Sequence, residues 1–280
     1  MDNVCEQLEN YILENWEHVS GETVEKILTC FFTLSYFPEH VDVFERSSEI
    51  MIRDFQYMSG LSIIQGLLSL VFYKSCPQHL LALVFSNEFV KRIEQEIAMC
   101  YSKDFYPQRI MNLMMQLNRA VCLDCPEYNI KWFQQSFIEA QASKLPVVKS
   151  VTHNEVHLLL QRIVKKPGYI SVDRVTHYGY RVDFELYIDQ YNRFVAPIPD
   201  DYINKNFIPS VNRIAILLLH NKMFCENDIH RLKGSELLRM RHLEMLGYRV
   251  IHVKIHDFNI LYSNMAAKLR YLRKLLQLSA

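Results

Sequence analysis

Half of the 280 residues are hydrophobic, 22% are charged and only 7 are glycine, so the chain can fill a core and is neither disordered nor fibrous. Its formal net charge of zero hides opposed halves: residues 151–280 carry 19 Lys+Arg against 12 Asp+Glu, and the first 150 residues carry the matching acidic excess. Two modules are expected, and the basic one suits a polyanion unless the halves simply attract each other.

Seven scattered cysteines, an odd number, do not form a secreted disulfide framework and fit reduced thiols in an intracellular, soluble protein. The best apolar run, Leu61 to Tyr73, contains Gln65 and falls short of the ~20 residues a spanning helix needs. No membrane association is expected. The acidic start, Met1-Asp2-Asn3-Val4-Cys5-Glu6, resembles neither a signal nor a transit peptide. Either the protein stays where it is made, or Met1 is not the start of the precursor.

In chain order, Gly21 to Phe32 reads as an amphipathic helix that stops at Pro38, and Gly60 to Val71 reads the same way and stops at Pro77. A constant offset of 39 links Gly21/Gly60, Val24/Ile63, Leu28/Leu67, Phe31/Leu70, Phe32/Val71, Pro38/Pro77 and His40/His79. Helix-pair repeats of that length stack into solenoids, because one unit cannot bury its own apolar face. A fainter third copy runs from Arg109 to Pro126. His40 and His79 mark a repeated turn rather than a metal site. Cys122-Leu-Asp-Cys125 stands without a second pair, and Met111, Met114 and Met115 read as core. A helical repeat domain is expected over 1–145, and periodicity fades from Ile138 to Ser150.

A small α/β domain is expected over 150–280. Thr152 to Val164 reads as a helix ended by Pro167-Gly168, and Ile170 to Thr176 as a strand. In the next strand, Tyr180, Val182, Phe184, Leu186 and Ile188 share one face, and Arg181, Asp183, Glu185, Tyr187 and Asp189 the other. A loop containing Pro197, Pro199, Asp200, Asp201 and Pro209 follows. Ile214 to Leu219 is continuously apolar, as in a strand buried on both faces. Lys233-Gly234-Ser235 opens a helix to Leu246, with Gly247 as its stop; Tyr248 to Val253 is a strand and Tyr262 to Leu278 a closing helix. Lys268, Arg270, Arg273 and Lys274 are expected to be largely exposed on that last helix. The order α-β-β-β-α-β-α implies a mixed sheet flanked by helices.

Asp183 and Glu185, two apart on a strand, could hold a divalent cation. A nuclease of the PD-(D/E)xK type also needs an acid and a lysine on the next strand, where this chain has Leu217, Leu218 and Leu219 and no base before Lys222. The alternative is an exposed acidic face paired with Arg181 or Arg193. No confident catalytic residue is assigned; the candidates are Asp183, Glu185 and Lys233.

Gly179-Tyr-Arg-Val-Asp-Phe-Glu185, Ala215-Ile-Leu-Leu218, Phe224-Cys225, Leu232-Lys-Gly234, Arg241-His-Leu-Glu244 and Leu246-Gly-Tyr-Arg-Val-Ile251 run in that order across about 150–275. In these motifs the chain resembles the FAST kinase-like family, whose helical FAST domains precede a RAP domain. The resemblance implies a restriction-endonuclease-like αβββαβ core, RNA as the partner, and work in mitochondrial RNA processing, stability or translation. It places Asp183 where such nucleases keep a metal-binding aspartate, and Leu217 and Leu219 where other RAP domains often carry acids. No Gly-rich loop, Val-Ala-x-Lys strand, His-Arg-Asp or Asp-Phe-Gly supports kinase chemistry.

Three functions remain open at this point. One is RNA binding without chemistry, through Lys233, Arg239, Arg241, Arg249, Lys268, Arg270, Arg273 and Lys274, with Tyr178, Tyr180 and Tyr248 stacking on bases. Another is a ribonuclease with Mg²⁺ as its sole cofactor; no cofactor is expected otherwise. The last is a scaffold whose acidic helical half recruits proteins of an RNA-processing complex.

Overall fold

A computed structural model describes residues 2–144, 150–198, 211–226 and 228–278. The chain divides into two compact units, one comprising Met1–Phe133 with Cys225–Leu238, the other Gln134–Phe224 with Arg239–Ala280. The expected junction at 145–150 lies largely outside the described residues, as does the loop from Pro199 to Pro209.

The first unit holds α1 (Asp2–Asn15), α2 (Gly21–Leu34), α3 (Asp42–Arg53), α4 (Gly60–Phe72), α5 (Gln78–Val84), α6 (Asn87–Met99) and α7 (Phe105–Asp124). Helix α2 packs on α4 and α4 on α7, so the faint third copy supplies the third central helix. The offset of 39 extends to features that apolar spacing does not register. Ser20 and Ser59 cap α2 and α4, accepting from Thr23 N and Ser62 N. Both helices end with a residue in the left-handed region, Ser35 (φ 51°) and Lys74 (φ 58°), and both close with the same backbone bond, Tyr36 N to Phe31 O and Ser75 N to Leu70 O.

Two arginines stitch successive copies together. Arg53 donates to the carbonyls of Trp16, Glu17 and Val19, and Arg92 to those of Phe55 and Met58. These carbonyls lie just past the C-terminal ends of α1 and α3, where a guanidinium fork can satisfy several at a time. Arg92→Ala is therefore expected to cost ~2 kcal/mol in chemical denaturation, and Arg92→Lys to recover less than half of it, because an ammonium cannot reproduce the fork. Glu9, buried beneath the first Pro-x-His turn, accepts from Tyr36 Oη and from the amides of Glu39 and His40. His40 thus marks a turn, as expected, through its backbone, whereas His79, expected at the matching turn, lies within α5.

The second unit begins with α8 (Gln135–Lys144), a helix in the stretch where apolar periodicity fades, and α9 (Val151–Val164), capped by Ser150. Then come β1 (Ser171–Val175), β2 (Arg181–Asp189), β3 (Phe194–Val195) and β4 (Val211–Leu219). β5 (Phe224–Cys225) and β6 (Asp228–Leu232) pair with each other, and α10 (Gly234–Met245) follows. The chain finishes with β7 (Tyr248–Lys254), α11 (Ile255–Ile260) and α12 (Met265–Leu276). The sheet order is β1-β2-β4-β7, with β3 added to β2. Its first pairings are antiparallel and β4–β7 is parallel, so the sheet is mixed as expected.

One face of that sheet (Phe184, Leu186, Ile188, Ile214, Ile216, Leu218, Ile251, Val253) is covered by Val156, Leu159, Leu160 and Ile163 of α9 and by Leu272 and Leu276 of α12. Strand β3 was not foreseen; Asp189 builds its turn by accepting from the amides of Tyr191 and Arg193. Segment 225–238, expected within the α/β domain, is grouped with the helical unit.

Candidate nucleic-acid interface

The second face of β2 differs from the expected exposed acidic surface. β2 lies between β1 and β4, and Glu185 and Tyr187 are each 1% exposed. Glu185 Oε1 accepts from Arg213 Nη2 at 3.0 Å and from Tyr248 Oη at 2.9 Å, and its Oε2 is 3.8 Å from Arg174 Nε. Arg213 also lies 4.2 Å from the centre of the Tyr248 ring. Burial opposes the Arg213 charge, but Tyr248, Tyr187 and Glu185 outweigh it and hold its pKa above the ordinary value. Burial pushes the Tyr248 phenol up, and the Glu185 charge adds to that. The partners of Glu185 are therefore Arg213, Tyr248 and Arg174. Arg193 pairs instead with Asp189 at 2.7 Å.

Asp183 is half-buried, and its Oδ2 accepts from Leu218 N at 2.9 Å. The β2–β4 ladder runs from Asp189↔Val211 to Phe184↔Ile216, so this carboxylate takes an amide just where the register ends. The pairs Val172↔Phe184 and Arg174↔Val182 bracket Asp173 opposite Asp183. Asp173 has a φ of 54°, and its Oδ1 lies 3.6 Å from His153 Nε2 on α9. Sequence reading missed that carboxylate. Leu217 and Leu219 are buried, Lys233 belongs to the other unit, and no cluster of His, Cys, Asp and Glu able to hold a metal occurs among the described residues.

The basic candidates separate by exposure. Arg270 and Lys274 are exposed on α12 and Arg273 is half-buried. Lys268 is 4% exposed, contrary to expectation: its Nζ donates to Glu155 Oε1 on α9 at 2.7 Å and lies over the Phe258 ring. The helix stripe places it on the side facing α9, where an aliphatic stem packs as an apolar residue would. Arg249 donates to Leu276 O at 2.8 Å, closing the end of α12. Arg239 donates to Arg181 O, and Arg241 is half-buried. Tyr180 is 6% exposed with its hydroxyl 2.6 Å from His242 Nδ1, and Tyr248 is 4% exposed, so neither ring is open to a base. Sequence reading, which gives Pro167-Gly168 as the helix stop, also passes over Arg162, Lys165 and Lys166, exposed at the end of α9.

Among the described residues no helix is long and apolar enough to cross a membrane. Three family models match the chain: FAST kinase-like protein, subdomain 1, over residues 24–94; FAST kinase-like protein, subdomain 2, over 111–196; and the RAP domain over 216–275. The match to subdomain 2 takes in β1 to β3, which pair into the same sheet as β4 and β7 of the RAP match.

Similar curated proteins include mouse FAST kinase domain-containing protein 1, mitochondrial, 28% identical over 97% of this chain and 34% of that protein. The Xenopus tropicalis counterpart is 30% identical over 74% of this chain and 27% of its own length. Human FAST kinase domain-containing protein 3, mitochondrial, is 25% identical over 88% and 36%. The chain spans about a third of the length of these relatives. It belongs to the FAST kinase-like family, with helical FAST segments followed by a C-terminal RAP domain.

Proposed function

We propose that the C-terminal unit binds RNA without cleaving it, serving post-transcriptional control of mitochondrial transcripts. The observation that carries this reading is α12: it bears Lys268, Arg270, Arg273 and Lys274 and no acid, and no acid follows Asp257 in the chain. Of the four bases, Lys268 is neutralised by Glu155, which leaves Arg270, Lys274 and the half-buried Arg273 facing outward. A short helix with uncompensated cations attracts a phosphate backbone, and the contacts it makes release counterions. The resemblance to RAP domains and the mitochondrial names of the relatives support the target and the compartment. Arg239, Arg241 and Arg249, in the same unit as α12, are secondary contacts under this reading.

Titration of the full chain with single-stranded RNA at several salt concentrations tests it. Arg270→Glu with Lys274→Glu is expected to weaken binding at least ~10-fold at low salt, and to flatten the salt dependence by about 1.4 in log–log slope for two lost phosphate contacts. Affinity unchanged in the double variant, or indifferent to salt, would overturn the reading.

A further inference from the structure

Beyond the carboxyl ends of β4 and β7 lies an open cleft of about 640 Å³ that neither the α12 surface nor the Glu185 network uses. The two strands are parallel and in register to Leu219↔Lys254, so the segments after them leave the sheet side by side. One brings His220, Asn221 and Lys222; the other brings His256 and Asn259. Met223 and Ile255, both half-buried, supply apolar wall. Lys254, the last residue of β7, holds its ammonium 5.7 Å from the centre of the Phe224 ring, at the same end of the sheet. Asp257, exposed next to His256, does not line the cleft.

In open α/β sheets the crevice outside the carboxyl ends of the strands is where ligands bind. Here its walls are rich in donors. Lys222 brings a compact positive charge on a flexible stem, the imidazoles each offer an N–H in either protonation state, and the two asparagine amides add more. A phosphate monoester carries ~−1.5 to −2 charge near neutral pH and three acceptor oxygens, which matches that set better than the single charge of a diester does. The apolar wall and the imidazole faces suit a ribose and base beside it.

We propose that this cleft binds the terminal phosphate monoester of a nucleotide, with Lys222 and His256 as the principal contacts. The RNA-end form of this inference rests on the reading of the C-terminal unit as RNA-binding; a free nucleoside monophosphate has the same chemistry. The test uses the full chain and a short single-stranded RNA prepared with 5′-phosphate, with 3′-phosphate, and with both ends hydroxylated. Nucleoside monophosphates are titrated alongside and followed by NMR at the Met223 methyl and the histidine ring protons.

At least one phosphorylated end is expected to bind ten-fold tighter than the hydroxylated oligomer. Lys222→Gln with His256→Gln should reduce that preference to within two-fold, while Arg270→Glu with Lys274→Glu leaves it intact. Both cleft side chains are exposed, and thermal denaturation checks that the double variant folds. If no RNA binds but a nucleoside monophosphate shifts the cleft resonances, the site stands with free nucleotide as its source and the RNA reading falls. Equal affinity for phosphorylated and hydroxylated ends without nucleotide shifts, or a preference that survives the double variant, overturns the proposal.

Discussion

Glu185→Ala will destabilise the C-terminal unit by ~3–5 kcal/mol, the usual result of removing one member of a buried ion pair. The variant keeps Arg213 charged and largely buried (its side chain is 15% exposed) but takes away the carboxylate it faces at 3.0 Å. Tyr248 loses its acceptor in the same step. The stacking of the guanidinium on Tyr248 remains and returns only part of the loss. Chemical denaturation gives the total, and hydrogen exchange at the amides of β2 and β4 locates it.

Glu185→Gln should cost less, since the amide oxygen still accepts. Glu185→Leu combined with Arg213→Met should recover most of the stability, because an apolar pair carries no desolvation debt. If Glu185 were instead a metal ligand of a nuclease, alanine there would spare stability and remove Mg²⁺-dependent cleavage. A loss under ~1 kcal/mol in the alanine variant would contradict the structural role, as it would mean that Arg213 had found water.

How much of this was legible beforehand depended on how local the cause was. Alternation along β2, the apolar run of β4, and the stops at Pro38, Pro77 and Gly247 are properties of neighbouring residues, and the corresponding elements stand where spacing puts them. Gly247 does adopt a left-handed φ of 83°. What spacing could not reveal was which strand lies beside which. Glu185 looked like half of a metal site because Arg213 is 28 residues away in sequence and Tyr248 is 63. Lys268 looked exposed for the same reason, since Glu155 is 113 residues away. The repeat was visible through its apolar positions, but its serine caps, left-handed helix ends and carbonyl-binding arginines needed the fold before their shared offset had a meaning.

Gly234→Ala is the second large effect, expected at about 3 kcal/mol, the upper end of what overpacking usually costs. A methyl group at that position would meet Phe32 O at 2.0 Å, Phe32 C at 2.9 Å and the Phe32 ring at 2.8 Å. The first two are backbone atoms of α2, which cannot rotate aside as a side-chain tip can. A glycine at the first position of a helix reads locally as start chemistry; here it is also a close approach between segments far apart in sequence.

The same segment is tied to the helical unit by Ser35 Oγ donating to Leu232 O, 197 residues away, by Cys225 Sγ toward Leu34 O at 3.7 Å, and by Arg231 with Asp2 at 2.6 Å. Forcing α2 and residue 234 apart strains the first two together, so the loss should appear as release of 225–238 rather than as a uniform softening. Trypsin reports it directly: cleavage after Arg231 and Lys233 should accelerate in Gly234→Ala under conditions where the wild-type segment resists. Gly234→Ser should behave like alanine, because the clash belongs to Cβ. A wild-type rate of cleavage in both variants would mean that α2 and the segment do not pack as closely as 2.0 Å requires.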